Sequence, residues 1–101
     1  MLNGRQKMII IYSTTWCPSC RAAKSLLDSK NIEFEEINIE ETGISRVQLK
    51  ELTGGHTVPQ IVVNEISIGG YEQLLMLNQM DKLDKLIQSW ILFQKTLKII
   101  V

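Results

Sequence analysis

The chain has 101 residues, 45% of them hydrophobic and 22% charged, with eleven basic and eleven acidic side chains and a formal net charge of zero. That length suits one domain and not two, and the neutral balance lacks the electrostatic footprint of a nucleic-acid binder. Two prolines and six glycines exclude collagen, low-complexity sequence and a long disordered tail.

From Lys7 to Ser13 the apolar, β-branched run Met8-Ile9-Ile10-Ile11-Tyr12 suits a central strand buried on both faces. Ala22, Ala23, Leu26 and Leu27 then recur at helical spacing, predicting a helix from Pro18 to Lys30 with Pro18 in the tolerated first turn and Asn31 as the stop. Between Glu33 and Ile39, Phe34, Ile37 and Ile39 alternate imperfectly with glutamates, as in a strand near a sheet edge. A helix over Ile44 to Leu52 is expected to turn Val47, Leu49 and Leu52 to the core and to end at Thr53-Gly54-Gly55. Gln60 to Val63 and Ile66 to Ile68 read as a hairpin about Asn64-Glu65. Gly69-Gly70 precedes a helix over Tyr71 to Asn78, and Leu83, Leu86, Ile87 and Trp90 share one face of a last helix. The expected fold is α/β, with helices flanking a four-stranded mixed sheet in the order 2-1-3-4. A strand–helix–strand unit needs a parallel pair, and the hairpin adds antiparallel strands to the same sheet.

The neutral total conceals a segregation. Residues 1–31 carry Arg5, Lys7, Arg21, Lys24 and Lys30 against Asp28, whereas residues 32–72 carry eight glutamates against Arg46 and Lys50. The surface near Cys17 and Cys20 is therefore expected to be the basic one, either as a solvated face or as an attraction for an anionic substrate. No apolar run nears the roughly 18 residues of a membrane span. Met8 to Tyr12 is also shorter than the apolar core of a signal peptide. The expectation is a cytoplasmic protein without a membrane partner.

Both cysteines lie in one Cys-x-x-Cys, so the chain has no disulfide framework, and in a reducing compartment such a pair serves catalysis or metal binding more often than structure. A strand ending just before Cys17 and a helix starting at Pro18 place that sulfur beside unpaired amides and the positive dipole end. Cysteines so placed have pKa values of roughly 3.5 to 7.5, so the thiolate is available at neutral pH. Cys20, nearly one turn deeper and less exposed, can resolve a mixed disulfide formed on Cys17. Zinc lacks a ligand set, because only His56 joins the pair. A structural disulfide closing so short a loop gains little.

Cys17-Pro18-Ser19-Cys20, Thr57-Val58-Pro59 and Gly69-Gly70, in that order over Lys7 to Trp90, resemble a small dithiol glutaredoxin of the thioredoxin-fold superfamily. The resemblance implies a redox domain over residues 1–90, with residues 91–101 as an apolar C-terminal extension. It also implies an oxidoreductase that uses glutathione to reduce protein disulfides and glutathione mixed disulfides, with no metal expected. In the family the bond before the Thr-Val-Pro proline is cis. The Val58 backbone, flanked by Thr57 and Pro59, would then pair with the cysteinyl part of glutathione like a short added strand. Gly69 and Gly70 permit positive φ and close approach, so the amides around Tyr71 and Glu72 would receive the γ-glutamyl carboxylate.

Departures from the family pattern bear on the reductant. Where many glutaredoxins have a lysine against a glutathione carboxylate, this chain has Thr14; Arg46 matches a second position that contacts the same group. Glu72-Gln73 stands where relatives commonly have Asp, and Ser19 replaces a frequent Tyr. Trp16 is similar to the Trp-Cys pair of thioredoxins and mycoredoxin-like proteins, either shielding the thiol and docking partners or packing at the loop base. These departures leave open a redoxin linked to thioredoxin reductase or mycothiol. A third reading is a binding module in which Cys17 of two chains and two glutathiones hold an iron–sulfur cluster. His56, ahead of the Thr-Val-Pro loop, is either a surface histidine or a proton carrier. The apolar stretch 91–101 suggests a continued helix on a monomer's core, with a dimer face or a membrane-surface contact as alternatives.

Overall fold

A computed structural model describes residues 8–89. The elements in chain order are β1 (Ile9–Ser13), α1 (Pro18–Ser29), β2 (Glu35–Asn38), α2 (Ile39–Thr42), α3 (Arg46–Thr53), β3 (Gln60–Val63), β4 (Ile66–Gly69) and α4 (Tyr71–Gln79). Residues 82–89 are again helical. The strands form one sheet in the order β2-β1-β3-β4. β1 runs parallel to β2 and antiparallel to β3, and β4 closes the hairpin with β3. The sheet is thus mixed and ordered as the sequence predicts.

β1 is central, and every second side chain, from Ile9 through Ile11 to Ser13, is fully buried. Ile9 and Ile11 join Ala23 and Leu27 of α1, Ile61 and Val63 of β3, Leu74 of α4 and Leu83 in one apolar core. Leu86 and Ile87 pack against it, which bears out their shared face; Trp90 and the extension 91–101 lie outside the described residues. α1 packs on α4, while α3 contacts β3 separately and buries Leu49. Among the described residues no helix is long and apolar enough to cross a membrane.

Three expectations need correction. The strand predicted through Ile39 ends at Asn38, whose side chain accepts from the amides of Glu40 and Glu41 and so caps the short helix α2. On α3, only Leu49 faces inward: Val47 and Leu52 are 70% and 57% exposed. A capping box between Ser45 and Gln48 starts that helix at Arg46, after which left-handed Gly54 ends it. Finally, positive φ belongs to Gly69 alone of the glycine pair; Gly70 is extended.

Candidate active site

Strand register gathers the predicted site at one end of the sheet. Ser13 at the close of β1 pairs with Asn38 at the close of β2, and Tyr12 pairs with Gln60 at the opening of β3. Ile61 in turn pairs with Gly69 at the close of β4. The loops leaving β1 and β4 and the loop entering β3 therefore emerge together. They carry Cys17, Gly70 and Val58-Pro59 respectively.

Cys17 is the N-cap of α1. Its backbone is extended, and its Sγ accepts the Cys20 backbone N–H at 3.1 Å, using one of the amides a helix start leaves unpaired. Ser19 Oγ lies 3.7 Å from the same sulfur. The two cysteines are joined as a disulfide with their Cα atoms 5.2 Å apart. Cys20 is 1% exposed and Cys17 6%, so the deeper position of Cys20 is as the helix phase predicts.

The loop before Cys17 is tied to the sheet by groups that the sequence reading did not single out. Thr15 donates its backbone N–H to Glu40 Oε1 at 3.0 Å, and Asn38 Nδ2 donates to Thr15 Oγ1 at 3.2 Å, so α2 braces the loop. The buried Ser13 hydroxyl donates to Glu36 Oε2 at 2.7 Å, and Lys24 Nζ reaches the same oxygen at 2.9 Å. This knot joins β1, β2 and α1 just below the cysteines. Desolvation pushes the Glu36 carboxyl upward, but the Ser13 and Lys24 hydrogen bonds and the Lys24 charge outweigh it and hold the group below its ordinary value of 4.5. Lys24 is thereby engaged, as Lys30 is with Asp84, so among the described residues Arg21 is the cation of the expected basic surface without a carboxylate partner. Thr14, partly buried, turns its hydroxyl to the Trp16 carbonyl at 3.3 Å. Trp16 is 75% exposed, so it does not pack at the loop base.

The Val58–Pro59 bond is cis, as the resemblance implies. Pro59 is buried and Thr57 exposed, and Val58 lies outside the β3 ladder, which opens at Gln60. Two braces hold this loop. Arg46 Nη1 donates to the His56 carbonyl at 3.0 Å, and the buried Gln60 donates Nε2 to Thr57 Oγ1 at 3.3 Å. Arg46, for which the resemblance implies a carboxylate contact, anchors the loop through one nitrogen, while His56 is exposed and contributes its carbonyl. Gly70 lies close against Pro59, since a Cβ there would stand 3.4 Å from the Pro59 carbonyl oxygen. Its N–H is taken by Gln73 Oε1 at 2.8 Å. Tyr71 packs on the core and Glu72 is exposed in the first turn of α4. Among the described residues no group of three or more His, Cys, Asp or Glu is placed to hold a metal.

A Cys-x-x-Cys capping the helix after the central strand, with a cis-proline loop entering β3 at the same sheet end, defines a thiol–disulfide oxidoreductase of thioredoxin-like fold. The glutaredoxin family model matches residues 9–68, and the chain belongs to the glutaredoxin family. It is 40% identical over 81 residues to the glutaredoxin of Pseudomonas aeruginosa, covering 80% of this chain and 96% of that protein. Its identity to glutaredoxin 3 of Escherichia coli (strain K12) is 37% over 78 residues, 77% of this chain and 94% of the relative. The fold is similar to that of a buckwheat glutaredoxin in complex with glutathione, with a TM-score of 0.75 and 23% identity over 82% of this chain and 78% of that one.

Proposed function

We propose that this glutaredoxin is glutathione-dependent and reduces glutathione mixed disulfides and protein disulfides through Cys17 and Cys20. The observation that carries the reading is the Sγ of Cys17 at the N-cap of α1, bonded to Cys20 and accepting its N–H at 3.1 Å. A sulfur that already accepts a helix-terminal amide is one whose anion that terminus stabilises.

On a glutathionylated protein, the Cys17 thiolate attacks the glutathione sulfur. The S–S bond breaks, the substrate leaves as its thiolate, and glutathione stays on Cys17. A second glutathione thiolate then attacks the glutathione sulfur of that mixed disulfide, releasing glutathione disulfide and the Cys17 thiolate. On a protein disulfide, Cys17 displaces one substrate sulfur and Cys20 attacks the Cys17 sulfur, freeing the second and closing the Cys17–Cys20 disulfide. Two glutathiones reopen it, taking up the oxidising equivalents as glutathione disulfide.

In this reading the Thr57-Val58-Pro59 backbone pairs with the cysteinyl part of glutathione, Arg46 meets its glycyl carboxylate beside Thr14, and the start of α4 receives the γ-glutamyl end. Gly69, Gly70, Tyr71 and Glu72 form that start. The missing lysine at Thr14 is the feature that favours a different reductant. Parallel assays test this directly. Turnover of a glutathionylated substrate with glutathione and glutathione reductase is expected, and turnover with thioredoxin reductase alone would overturn the proposal.

A further inference from the structure

The exposed Trp16 lies immediately before Cys17, and the Arg21 guanidinium sits 4.8 Å from the centre of its ring. The Arg21 backbone N–H donates to the Cys17 carbonyl at 3.1 Å, an intrahelical bond in the first turn of α1 that sets Arg21 one turn on from the nucleophile. Three cations belong to α1 and its cap. Lys24 is bonded to Glu36 at 2.9 Å and Lys30 to Asp84 at 3.2 Å. Arg21, among the described residues, has no carboxylate partner, and the first turn of α1 contains no acid.

An exposed indole with a guanidinium over its ring is a flat apolar surface with a cation on it. Without a carboxylate partner among the described residues, that guanidinium has N–H groups to offer one. Its place beside the attacking sulfur means that whatever flanks a substrate cysteine passes over it. Resting on the proposal that Cys17 attacks the substrate, we infer that Trp16 and Arg21 form a docking pair for protein substrates with an Asp or Glu beside the target cysteine. The indole covers the apolar part of the substrate strand, and Arg21 pairs with the acid.

The test uses the dithiothreitol-reduced protein, freed of excess reductant, and peptides of one sequence that differ only in Glu, Gln or Lys next to a cysteine. Each cysteine carries a thionitrobenzoate disulfide. Cys17 attacks the peptide sulfur and releases coloured thionitrobenzoate; Cys20 then attacks Cys17, frees the peptide thiol and closes the protein disulfide. Rates are divided by those of each peptide with dithiothreitol. A mercaptoethanol–thionitrobenzoate disulfide, which carries the same leaving-group carboxylate as every peptide and no residue beside the cysteine, reports the reactivity of Cys17 itself, which Arg21 also affects through its charge.

The expected Glu-over-Lys preference is about fivefold at low salt, the upper range for an exposed ion pair, and it shrinks as salt rises. Arg21→Gln abolishes it, Arg21→Glu reverses it, and Trp16→Ala weakens it. A flat peptide series in the wild type, or a preference that survives Arg21→Glu, overturns the inference. Glutathione takes no part in this measurement, so a failed docking pair and a failed reductant assignment are distinguishable. A Cys17→Ser protein that releases thionitrobenzoate at the wild-type rate would instead refute Cys17 as the attacking thiol.

Discussion

Gln60, 5% exposed at the opening of β3, donates its side-chain amide to the Thr57 hydroxyl across 3.3 Å. Its place is available because Gly55 has no side chain: a Cβ there would stand 2.5 Å from Gln60 Nε2. The cis-proline loop is thus shaped by a residue on either side of it.

Gly55→Ala is accordingly expected to displace the Gln60 amide and lower stability by about 1–2 kcal/mol, as overpacking does. Combined with Gln60→Ala the same change should cost nothing further or stabilise slightly, because the atoms it meets are gone. Urea denaturation of the four proteins measures the coupling, and additive losses would contradict the contact.

The knot of Ser13, Glu36 and Lys24 predicts a pH dependence. A carboxyl held below its ordinary 4.5 in the folded state contributes stability that is present above the unfolded value and is lost as pH falls through the folded one. Glu36→Gln, which still accepts from Ser13, should cost less than about 1 kcal/mol at pH 7 because the group is partly exposed to solvent screening. The gap between variant and wild type should close as pH drops below 4.5. A constant difference across that range would show that charge has no part in it.

On α3, Leu49→Ala should cost about 2–5 kcal/mol, while Val47→Ala and Leu52→Ala should each stay within about 0.5 kcal/mol. Thermal unfolding of the three single variants separates them.

That contrast also shows where the sequence could be read and where it could not. Val47 and Leu49 are two residues apart, about 200° around a helix, so they cannot share one face; counting apolar residues without their angles placed both inward. Alternation carried the second strand to Ile39 because a period of two does not register the Asn38 side chain, which breaks the strand by bonding the next two amides. Gln60 was missed for a different reason. A polar residue after proline reads as a strand opening, and its burial depends on space that Gly55 provides across the loop.

The parts that were legible rest on short-range chemistry. Asn64 and Glu65 both take positive φ, 51° and 67°, in the two-residue turn that their spacing between apolar runs predicts. The cysteine pair, the helix that starts at Pro18 and the sheet order follow in the same way from local patterns and the strand–helix–strand rule. The bracing of the Cys17 loop by Asn38 and Glu40 needed the parallel register of β1 with β2, which brings together residues more than twenty apart in sequence.

The central claim is that Cys17 is the attacking thiol, with Cys20 dispensable for glutathione mixed disulfides. It is tested most directly by turnover of a glutathionylated substrate, with glutathione and glutathione reductase, in Cys17→Ser and Cys20→Ser proteins. The account predicts that activity vanishes in Cys17→Ser and persists in Cys20→Ser, where glutathione itself releases the mixed disulfide. Activity retained by Cys17→Ser would contradict it.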